Sequence, residues 1–238
     1  MDRIVNKTPA RIAAMFDAIA GRYDVLNSVL TLGFDAKWRA RAVQSLRLTG
    51  SETVLDLCTG TADVSVALTK RSPGAARVIG IDFSTEMLRK GLQKCSAMGI
   101  SRRVQLLRAD ATLVPLPTSS VDAVTVAFGI RNVEDMDGAL KEMYRVTRPG
   151  GRVAILEFGM PKIPGVRACY EFYFRRVLPL IGRIVSGHDS AYTYLPASVT
   201  EFPTGTDFCR HLENAGFCEV KATCLHFGIL YLYEGVRT

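Results

Sequence analysis

The sequence predicts an α/β fold built on a doubly wound, mostly parallel sheet of seven strands. Two observations carry this prediction. Short β-branched runs alternate with helical stretches from residue 53 to residue 158, which is the pattern of parallel strands joined by crossover helices. Two further β-rich runs close the chain with only a short link between them, which indicates an antiparallel last strand.

The predicted elements follow one another with few interruptions. Two N-terminal stretches, residues 11–19 and 38–46, carry apolar residues at three- and four-residue spacing and are predicted to be helices. Five strands are then predicted at residues 53–58, 77–82, 104–109, 121–128 and 152–158, with helices at 62–71, 85–97 and 136–146. A helix at 207–215 precedes the two closing strands, 218–225 and 229–236.

Composition is typical of a globular protein with a substantial core. The 238 residues are 48% hydrophobic and 22% charged, and no run of 18 apolar residues occurs. We therefore expect one domain without a spanning helix and, since no signal peptide is evident, a cytoplasmic location. The six cysteines show neither CxxC pairing nor metal-ligand spacing, which predicts free thiols and no metal site.

The charge of the chain leaves several kinds of partner open. A net charge of +7 fits a nucleic acid, an anionic membrane surface or an acidic ligand. No stretch interleaves aromatic residues with Lys and Arg in the manner of an RNA-binding sheet. Net charge alone therefore does not identify the partner.

Polar residues gather where the predicted strands end, which is the edge at which ligands bind in such folds. Asp56 lies in the first strand, and Gly60 allows a tight turn whose backbone N–H groups can approach a ligand. Asp82 ends the second strand and can accept hydrogen bonds from both hydroxyls of a ribose. After the third strand, Asp110 can accept from an exocyclic amino group while the Ala111 backbone addresses the adjacent ring nitrogen.

Two of these residues, Gly60 and Asp82, also have a purely structural explanation. A turn with a glycine leads into most helices of this fold class, so the Gly60 turn alone is weak evidence. Asp82 has the alternative role of capping the next helix, although Ser84 already suits that position.

The fourth strand ends in the sequence VAFGIRNVEDM, residues 126–136, with two strong hydrogen-bonding side chains at its mouth. Arg131 and Asn132 at this point indicate the edge of a site. The alternative for Arg131 is a salt bridge to Glu134 or Asp135 at the start of the next helix.

Taken together, these segments resemble class I S-adenosylmethionine-dependent methyltransferases, which have a Rossmann-like fold. Three stretches narrow the match, namely MFDAIAGRYDVLNSVLTLGFDAKWR, FGIRNV and AYTYLPASVTEFP. They resemble the menaquinone/ubiquinone biosynthesis C-methyltransferase family, and the resemblance covers nearly the whole chain. It implies S-adenosyl-L-methionine as cofactor and a polyprenylated quinol as the substrate, methylated on a ring carbon. Demethylmenaquinol is the first choice of substrate, and a 2-polyprenyl-6-methoxy-1,4-benzoquinol is the alternative.

The resemblance assigns the cofactor-binding positions. They are Thr61 in the glycine loop, Asp82 at the ribose, Asp110 with Ala111 at the adenine, Asp56 and Gly60 around the methionine moiety, and Phe83 and Met87 as candidates to flank the adenine. Phe83 and Met87 have core packing as their alternative role. The chain departs from the family pattern in that GGTGD reads TGTAD, with Thr59 and Ala62 replacing glycines, and Ala127 stands where a serine is usual.

The implied chemistry points to Arg131. A phenol with a pKa of about 10 gives little phenolate at neutral pH, and a quinol carbon is a poor nucleophile until the phenolate forms. We expect Arg131 to hold the phenolate and Asn132 to orient the ring oxygen or a water. Because arginine stays protonated, the proton must go to a water, or to a carboxylate or histidine of the C-terminal half, of which His188 is the best histidine candidate.

Four further side chains are candidates to contact the substrate. Tyr192 and Tyr194 alternate along one stretch and either touch the ring or simply pack. Tyr23 and Asn27 lie in RYDVLN, which is predicted to fold over the cofactor, with an amphipathic cover helix as the alternative.

The resemblance also suggests an organisation and partners for the whole chain, residues 1–238. It divides into a helical cover (1–50), a cofactor-binding core (51–160), an insertion facing the substrate or a membrane (161–205) and a closing helix with strands (206–238). Residues 166–185 combine aromatic bodies with arginine heads, so contact with the inner face of the cell membrane and lining of a tail pocket both stay open. A second copy of the chain is a further candidate partner.

Three rival functions are weaker. A nucleic-acid methyltransferase would be expected to carry an Asn-Pro-Pro-Tyr type loop after the fourth strand, where FGIRNV stands instead, so we expect no nucleic-acid partner. A NAD-dependent dehydrogenase would be expected to carry GxGxxG after the first strand. An inert accessory protein that only binds the cofactor is kept open by the altered loop glycines, and is opposed by Asp82, Asp110 and Arg131.

Overall fold

The computed structural model describes residues 5–31, 33–71, 77–177 and 189–238. Its centre is a seven-stranded sheet in the order β3-β2-β1-β4-β5-β7-β6. The strands are β1 Thr53–Leu57, β2 Arg77–Asp82, β3 Val104–Arg108, β4 Val121–Ala127, β5 Thr147–Phe158, β6 Cys218–Leu225 and β7 Leu230–Val236. The first five run parallel, and β7 lies antiparallel between β5 and β6. The predicted fold class is confirmed.

Helices cover both faces of the sheet and its ligand-binding edge. They are α1 Pro9–Ile19, α2 Tyr23–Leu30, α3 Asp35–Ser45, α4 Asp63–Arg71, α5 Thr85–Ala97, α6 Met136–Val146, α7 Pro164–Phe172, α8 Asp189–Glu201 and α9 Thr206–Asn214. A π-helical turn, Tyr173–Val177, continues α7, and short 3-10 turns lie at Ile130–Asn132 and His226–Gly228. None of the helices within the described ranges combines the length and apolar character needed to cross a membrane.

The core has two halves because neighbouring strand residues point to opposite faces of the sheet. Leu55 and Leu57 of β1 join the cluster beneath α6 and α9, whereas Val54 joins the cluster beneath α3 and α4. Burial on both faces explains why the parallel strands read as continuous apolar runs. Each fully buried Leu or Val contributes roughly 1.5–3 kcal/mol, so these clusters hold the strand ends in fixed positions.

β5 is longer than predicted, since it begins at Thr147 and not at residue 152. Val121 pairs with Thr147, and the register then shifts so that Ala123 pairs with Arg152. The Pro-Gly-Gly sequence is absorbed as a bulge, in which Gly150 has φ +79°. Turn-forming residues normally end a strand, which is why the sequence pattern predicted a later start.

Polar contacts attach the N-terminal helices to the sheet domain. Asp17 of α1 accepts a hydrogen bond from the Ser84 hydroxyl at 2.5 Å, at the start of α5. Asp24 of α2 accepts from the Thr61 hydroxyl at 2.5 Å and pairs with Lys94 at 2.7 Å. These contacts fix α1 and α2 over the ends of β1 and β2.

The loops after β1 and β4 approach each other closely at Gly129. A Cβ added to Gly129 would lie 2.3 Å from the Cβ of Cys58, a distance that real Cβ atoms do not tolerate. Cys58 itself has φ +56°, a backbone region that favours glycine. The glycine of the FGIRNV stretch is therefore required by the close approach of these two loops.

Gly129→Ala should lower the free energy of unfolding by roughly 1–3 kcal/mol, because neither backbone can move without disturbing a strand end. Adding Cys58→Gly should restore part of the loss, since it removes the opposing Cβ and relaxes the positive φ. Denaturant unfolding of the single and double variants measures both effects. Gly165→Ala, where nothing lies within 4 Å of the added atom, is the matched control. Equal stability of the Gly129→Ala variant and the wild type would contradict the account.

Candidate functional site

Two adjoining cavities lie at the carboxyl ends of the parallel strands. The first, which we call the strand-end cavity, has a volume of about 280 Å³. The second, the apolar cavity, has a volume of about 410 Å³ and lies between α2, α3, α7 and α8. Three aromatic residues line both cavities, namely Phe16, Tyr23 and Phe128. These side chains therefore lie where a ligand in one cavity would approach a ligand in the other.

Asp82 forms the polar centre of the strand-end cavity. Its Oδ2 accepts a hydrogen bond from the Gly60 N–H at 2.9 Å, and its Oδ1 accepts from the Ser84 N–H at 2.9 Å. Burial raises the pKa of Asp82, while the backbone N–H groups of Ser84 and Gly60 act in the opposite direction. The carboxylate is thus held in one orientation, with acceptor capacity left for a ligand.

The remaining walls of the strand-end cavity suit a flat, polar-edged ring. Phe83, Met87 and Ala111 supply apolar surface, and Asp110 stands at the end of β3. The Asp110 Oδ1 accepts from the Thr112 N–H at 2.8 Å, which fixes the carboxylate at the rim. One carboxylate for a ribose and another beside an apolar wall fit a nucleoside such as the adenosine of S-adenosylmethionine.

Asn132 is part of the wall of this cavity. From the sequence, we expected it beside the ring of the substrate. It lines the strand-end cavity and does not line the apolar one. Its Oδ1 is buried and has no hydrogen-bond partner among the described residues. An unpaired buried acceptor suits an ammonium donor, which the methionine moiety of the cofactor carries.

Two residues assigned to the cofactor by resemblance lie behind the cavity wall. The Thr61 hydroxyl donates to Asp24 and accepts from Lys94 at 3.2 Å, and Thr61 does not line either cavity. Asp56 is buried and accepts from the hydroxyls of Thr59 at 2.6 Å and Ser65 at 2.7 Å. Burial raises the pKa of Asp56 to about 6, despite those two hydrogen bonds. In this structure both residues support the loop, and direct cofactor contact by either stays a prediction.

The altered glycine loop keeps a glycine-like backbone. Cys58, Gly60 and Ala62 all have positive φ, at +56°, +56° and +66°. A left-handed conformation costs a non-glycine residue roughly 1–2 kcal/mol, so Ala62 is held there by its surroundings. Thr59, the other replaced glycine, uses its hydroxyl to bind Asp56. The departures from the family sequence therefore leave the turn intact.

A buried ion pair holds the turn that follows β4. The Arg131 Nη1 donates to the Glu157 Oε1 at 2.6 Å and to the Phe128 carbonyl at 2.6 Å. Both side chains are almost fully enclosed, at 8% and 0% exposure. The alternative predicted from sequence, a pair with Glu134 or Asp135, is not what forms; Glu157 is the partner.

Arg131 lines the apolar cavity. Its Nε is buried and has no hydrogen-bond partner among the described residues, so the Nε–H donor is left for a ligand. The guanidinium carbon lies 5.6 Å from the centre of the Phe158 ring, which restricts its position further. The structure thus places an oriented cation at a cavity that is otherwise mainly hydrophobic.

The apolar cavity gathers most of the remaining predicted contacts. Tyr23, Asn27 and Tyr194 all line it. Burial raises the pKa of Tyr194 to about 12, so this phenol stays protonated at neutral pH. Tyr192 lies on α8 but its side chain is outside the described part of the structure, and His188 lies outside the described residues altogether. Their roles stay predictions.

The two other histidines, His226 and His211, lie in different parts of the structure. His226 lines the apolar cavity, with its ring centre 5.3 Å from that of Trp38. His211 contacts Asp137 at 2.7 Å and lines neither cavity.

Sequence reasoning missed several charged residues of the site, among them Glu157, Asp35 and Lys7. Glu157 is a lone acid in the apolar run VAILEF, which is a signal that could have been recognised. Asp35 lines the apolar cavity from the start of α3, and nothing in its local sequence marked it. Lys7 lines the strand-end cavity; burial lowers its pKa, Glu201 opposes this effect and Arg131 adds to it.

The fold and the strand-end cavity define the class of protein. A parallel sheet closed by an antiparallel β7, with acidic residues at the ends of β2 and β3, is the architecture of class I S-adenosylmethionine-dependent methyltransferases. A solved structure from Thermotoga maritima, described as a SAM-dependent methyltransferase and possible histamine N-methyltransferase, has the same fold. It superposes with a TM-score of 0.66 at 19% identity, covering 95% of this chain and 100% of that one.

Sequence comparison gives the family. The ubiE/COQ5 methyltransferase family matches residues 4–237. A ubiquinone/menaquinone biosynthesis C-methyltransferase UbiE from Geotalea daltonii is 44% identical over 227 residues, covering 95% of this chain and 96% of the relative. A demethylmenaquinone methyltransferase from Thermus thermophilus is 44% identical over 223 residues, covering 94% and 100%. The chain belongs to the ubiE/COQ5 methyltransferase family, which confirms the predicted family, cofactor and class of enzyme.

Asp82→Ala should weaken binding of S-adenosylmethionine roughly 100-fold or more, because it removes the ribose acceptors and leaves the Gly60 N–H unpaired. Isothermal titration calorimetry measures this directly. Thr61→Val is the informative comparison, since its hydroxyl faces Asp24 and Lys94; we expect less than roughly a tenfold loss there. Unchanged affinity in Asp82→Ala would remove the ribose assignment.

Proposed function

We propose that this protein transfers a methyl group from S-adenosylmethionine to a ring carbon of a polyprenylated quinol. Demethylmenaquinol is our first choice of substrate, and 2-polyprenyl-6-methoxy-1,4-benzoquinol is the alternative. The observation that carries the proposal is the pair of adjoining cavities, one suited to a nucleoside and the other apolar with Arg131 at its wall. The names of the relatives from Geotalea daltonii and Thermus thermophilus support the same chemistry.

The role of Arg131 follows from charge and burial. Removal of a hydroxyl proton from the quinol gives a phenolate, which places negative charge on the neighbouring ring carbon. A guanidinium in a water-poor cavity stabilises that anion more than it would in solvent. Because Glu157 and the Phe128 carbonyl hold Nη1, the guanidinium of Arg131 has a fixed orientation before the quinol ring binds.

Alignment is the second contribution of the protein. Phe16, Tyr23 and Phe128 stand between the two cavities, where the methyl donor and the ring carbon must meet. Holding two reactants in a productive geometry can supply several kcal/mol of the barrier reduction. The bound cofactor supplies the electrophilic methyl group, and the chain supplies position, a mainly apolar cavity and a cation for the ring oxygen.

The test is methyl transfer from labelled S-adenosylmethionine by the purified protein. Chemically reduced demethylmenaquinol and the demethylated benzoquinol are offered separately in detergent, and the products are weighed by mass spectrometry. One methyl added on a ring carbon supports the proposal, and the better substrate identifies the type of ring. No transfer to either quinol, despite tight cofactor binding, would contradict it and favour an inert accessory role.

Arg131→Lys should lower kcat roughly 100-fold or more while leaving cofactor affinity nearly unchanged. A lysine ammonium cannot hold both Glu157 and a ring oxygen with the planar geometry of the guanidinium. Glu157→Gln should also lower kcat, because it removes the charge that orients Arg131. Arg148→Lys, at an exposed pair with Asp122, is the control for a conservative change elsewhere. Turnover near the wild-type value in Arg131→Lys would make Arg131 a structural residue.

We further propose that the mouth of the apolar cavity contacts an anionic membrane surface. Exposed apolar side chains lie on the same elements that form this cavity, and they are Val25, Val29, Phe34, Phe172 and Phe227. Lys37 lies 5.4 Å from the centre of the Phe34 ring, so positive charge accompanies the apolar surface. Such a combination suits a bilayer with acidic headgroups, from which a long prenyl tail can enter the cavity.

Combined Phe172→Ser and Phe227→Ser substitution should reduce partition onto anionic vesicles several-fold, because about 70% of Phe227 and 63% of Phe172 are exposed. Vesicle sedimentation measures the bound fraction, and Leu92→Ser on α5 is the control. A change from dimer to monomer with unchanged partition would instead identify this face as a contact between two copies, the other predicted partner.

A further inference from the structure

Asp35 is an unusual residue for the place that it occupies. Among the described residues that line the apolar cavity, it is the only one with a carboxylate, and it is 4% exposed. Its Oδ2 accepts from the Arg39 Nη1 at 2.5 Å, and its Oδ1 accepts from the Thr31 hydroxyl at 2.9 Å. Burying a carboxylate beside an apolar cavity is unfavourable unless the carboxylate is paired. Arg39 and Thr31 supply that pairing, and they thereby keep a charged acceptor at the cavity wall.

The contacts of Asp35 leave it able to bind a further donor. Arg39 also pairs with Asp63 at 3.1 Å, and Asp63 has a second partner in Lys94 at 2.5 Å. Each oxygen of Asp35 accepts one described side-chain hydrogen bond, whereas a carboxylate has about four acceptor positions. Asp35 therefore keeps acceptor positions for a donor that occupies the cavity.

The aromatic residues relate Asp35 to Arg131. The rings of Phe128 and Phe158 stack with their centres 4.6 Å apart. The Arg39 guanidinium carbon lies 5.8 Å from the Phe128 centre, and that of Arg131 lies 5.6 Å from the Phe158 centre. One cavity thus carries two ion pairs at one aromatic stack. Arg131 offers hydrogen-bond donors to a ligand in the cavity. Asp35, which Arg39 holds in position, offers hydrogen-bond acceptors.

We propose that Asp35 accepts a hydrogen bond from the quinol hydroxyl para to the oxygen held by Arg131, and thereby selects the reduced ring over the quinone. This inference rests on the proposed function. A quinol O–H can donate to the carboxylate, whereas a quinone carbonyl has only lone pairs and would face Asp35 unpaired. Only the reduced ring has a nucleophilic carbon, so Asp35 is a specificity-determining residue that keeps an unreactive ligand out of the cavity. No bond to Asp35 forms or breaks.

The single tryptophan of the chain provides the measurement. Trp38 lines the apolar cavity, so its fluorescence reports binding there. We would titrate the whole protein, saturated with S-adenosylhomocysteine to prevent turnover, with a short-chain demethylnaphthoquinone. The same compound, kept reduced by dithionite without oxygen, is the second ligand. Mass spectrometry after each titration checks that the quinone has not added covalently to Cys169, which also lines the cavity.

The wild type should bind the quinol roughly 10- to 100-fold more tightly than the quinone, as expected for one hydrogen bond to a charged acceptor. Asp35→Asn should lose most of that ratio, because its amide can donate to a carbonyl. Asp35→Glu should keep part of it. Asp63→Asn is the matched control, since Asp63 also pairs with Arg39 but does not line the cavity, and it should keep the wild-type ratio.

The ratio of two affinities in one variant does not depend on how much of that variant is folded. Equal binding of quinol and quinone by the wild type overturns this inference alone, as does an undiminished ratio in Asp35→Asn. Binding of neither form by the wild type overturns the proposed function and this inference with it.

Discussion

The ion pair between Arg131 and Glu157 is the constraint on which the site depends. It joins the turn after β4 to the end of β5 across 26 positions of sequence, and both side chains are nearly or fully buried. Removing one partner of such a pair costs about 3–5 kcal/mol, because the other charge is left unpaired in a poorly solvated position. The same guanidinium holds the Phe128 carbonyl, so the ion pair also fixes the aromatic residue that stands between the two cavities.

A short 3-10 turn then borders both cavities. Adjacent residues, Arg131 and Asn132, face the apolar cavity and the strand-end cavity respectively. The parallel sheet makes this possible, because it brings the ends of β1, β2 and β4 to one edge with a register set by core packing. The N-terminal helices close the edge from above and contribute Tyr23 to both cavities. The two cavities are therefore linked through backbone geometry and a few aromatic side chains.

The order of strands and helices was predictable, because strongly periodic segments carry their own signal. Arg77–Asp82, Thr85–Ala97 and Met136–Val146 have the predicted bounds, and Asp82 and Asp110 stand at the predicted strand ends. Contacts across the chain were not predictable in the same way. The partner of Arg131 is 26 positions away, and the Thr61 hydroxyl turns toward Asp24 instead of the cavity. Asp35 acquires its importance only from the cavity that distant helices build around it.

The most direct measurement is a crystal structure of the protein with S-adenosylhomocysteine and an inert short-chain quinol analogue bound together. We predict the ribose at Asp82, the ring in the apolar cavity and one ring oxygen within hydrogen-bond distance of Arg131. A ring bound outside the apolar cavity, or one whose oxygens lie away from Arg131, would contradict the account of the site.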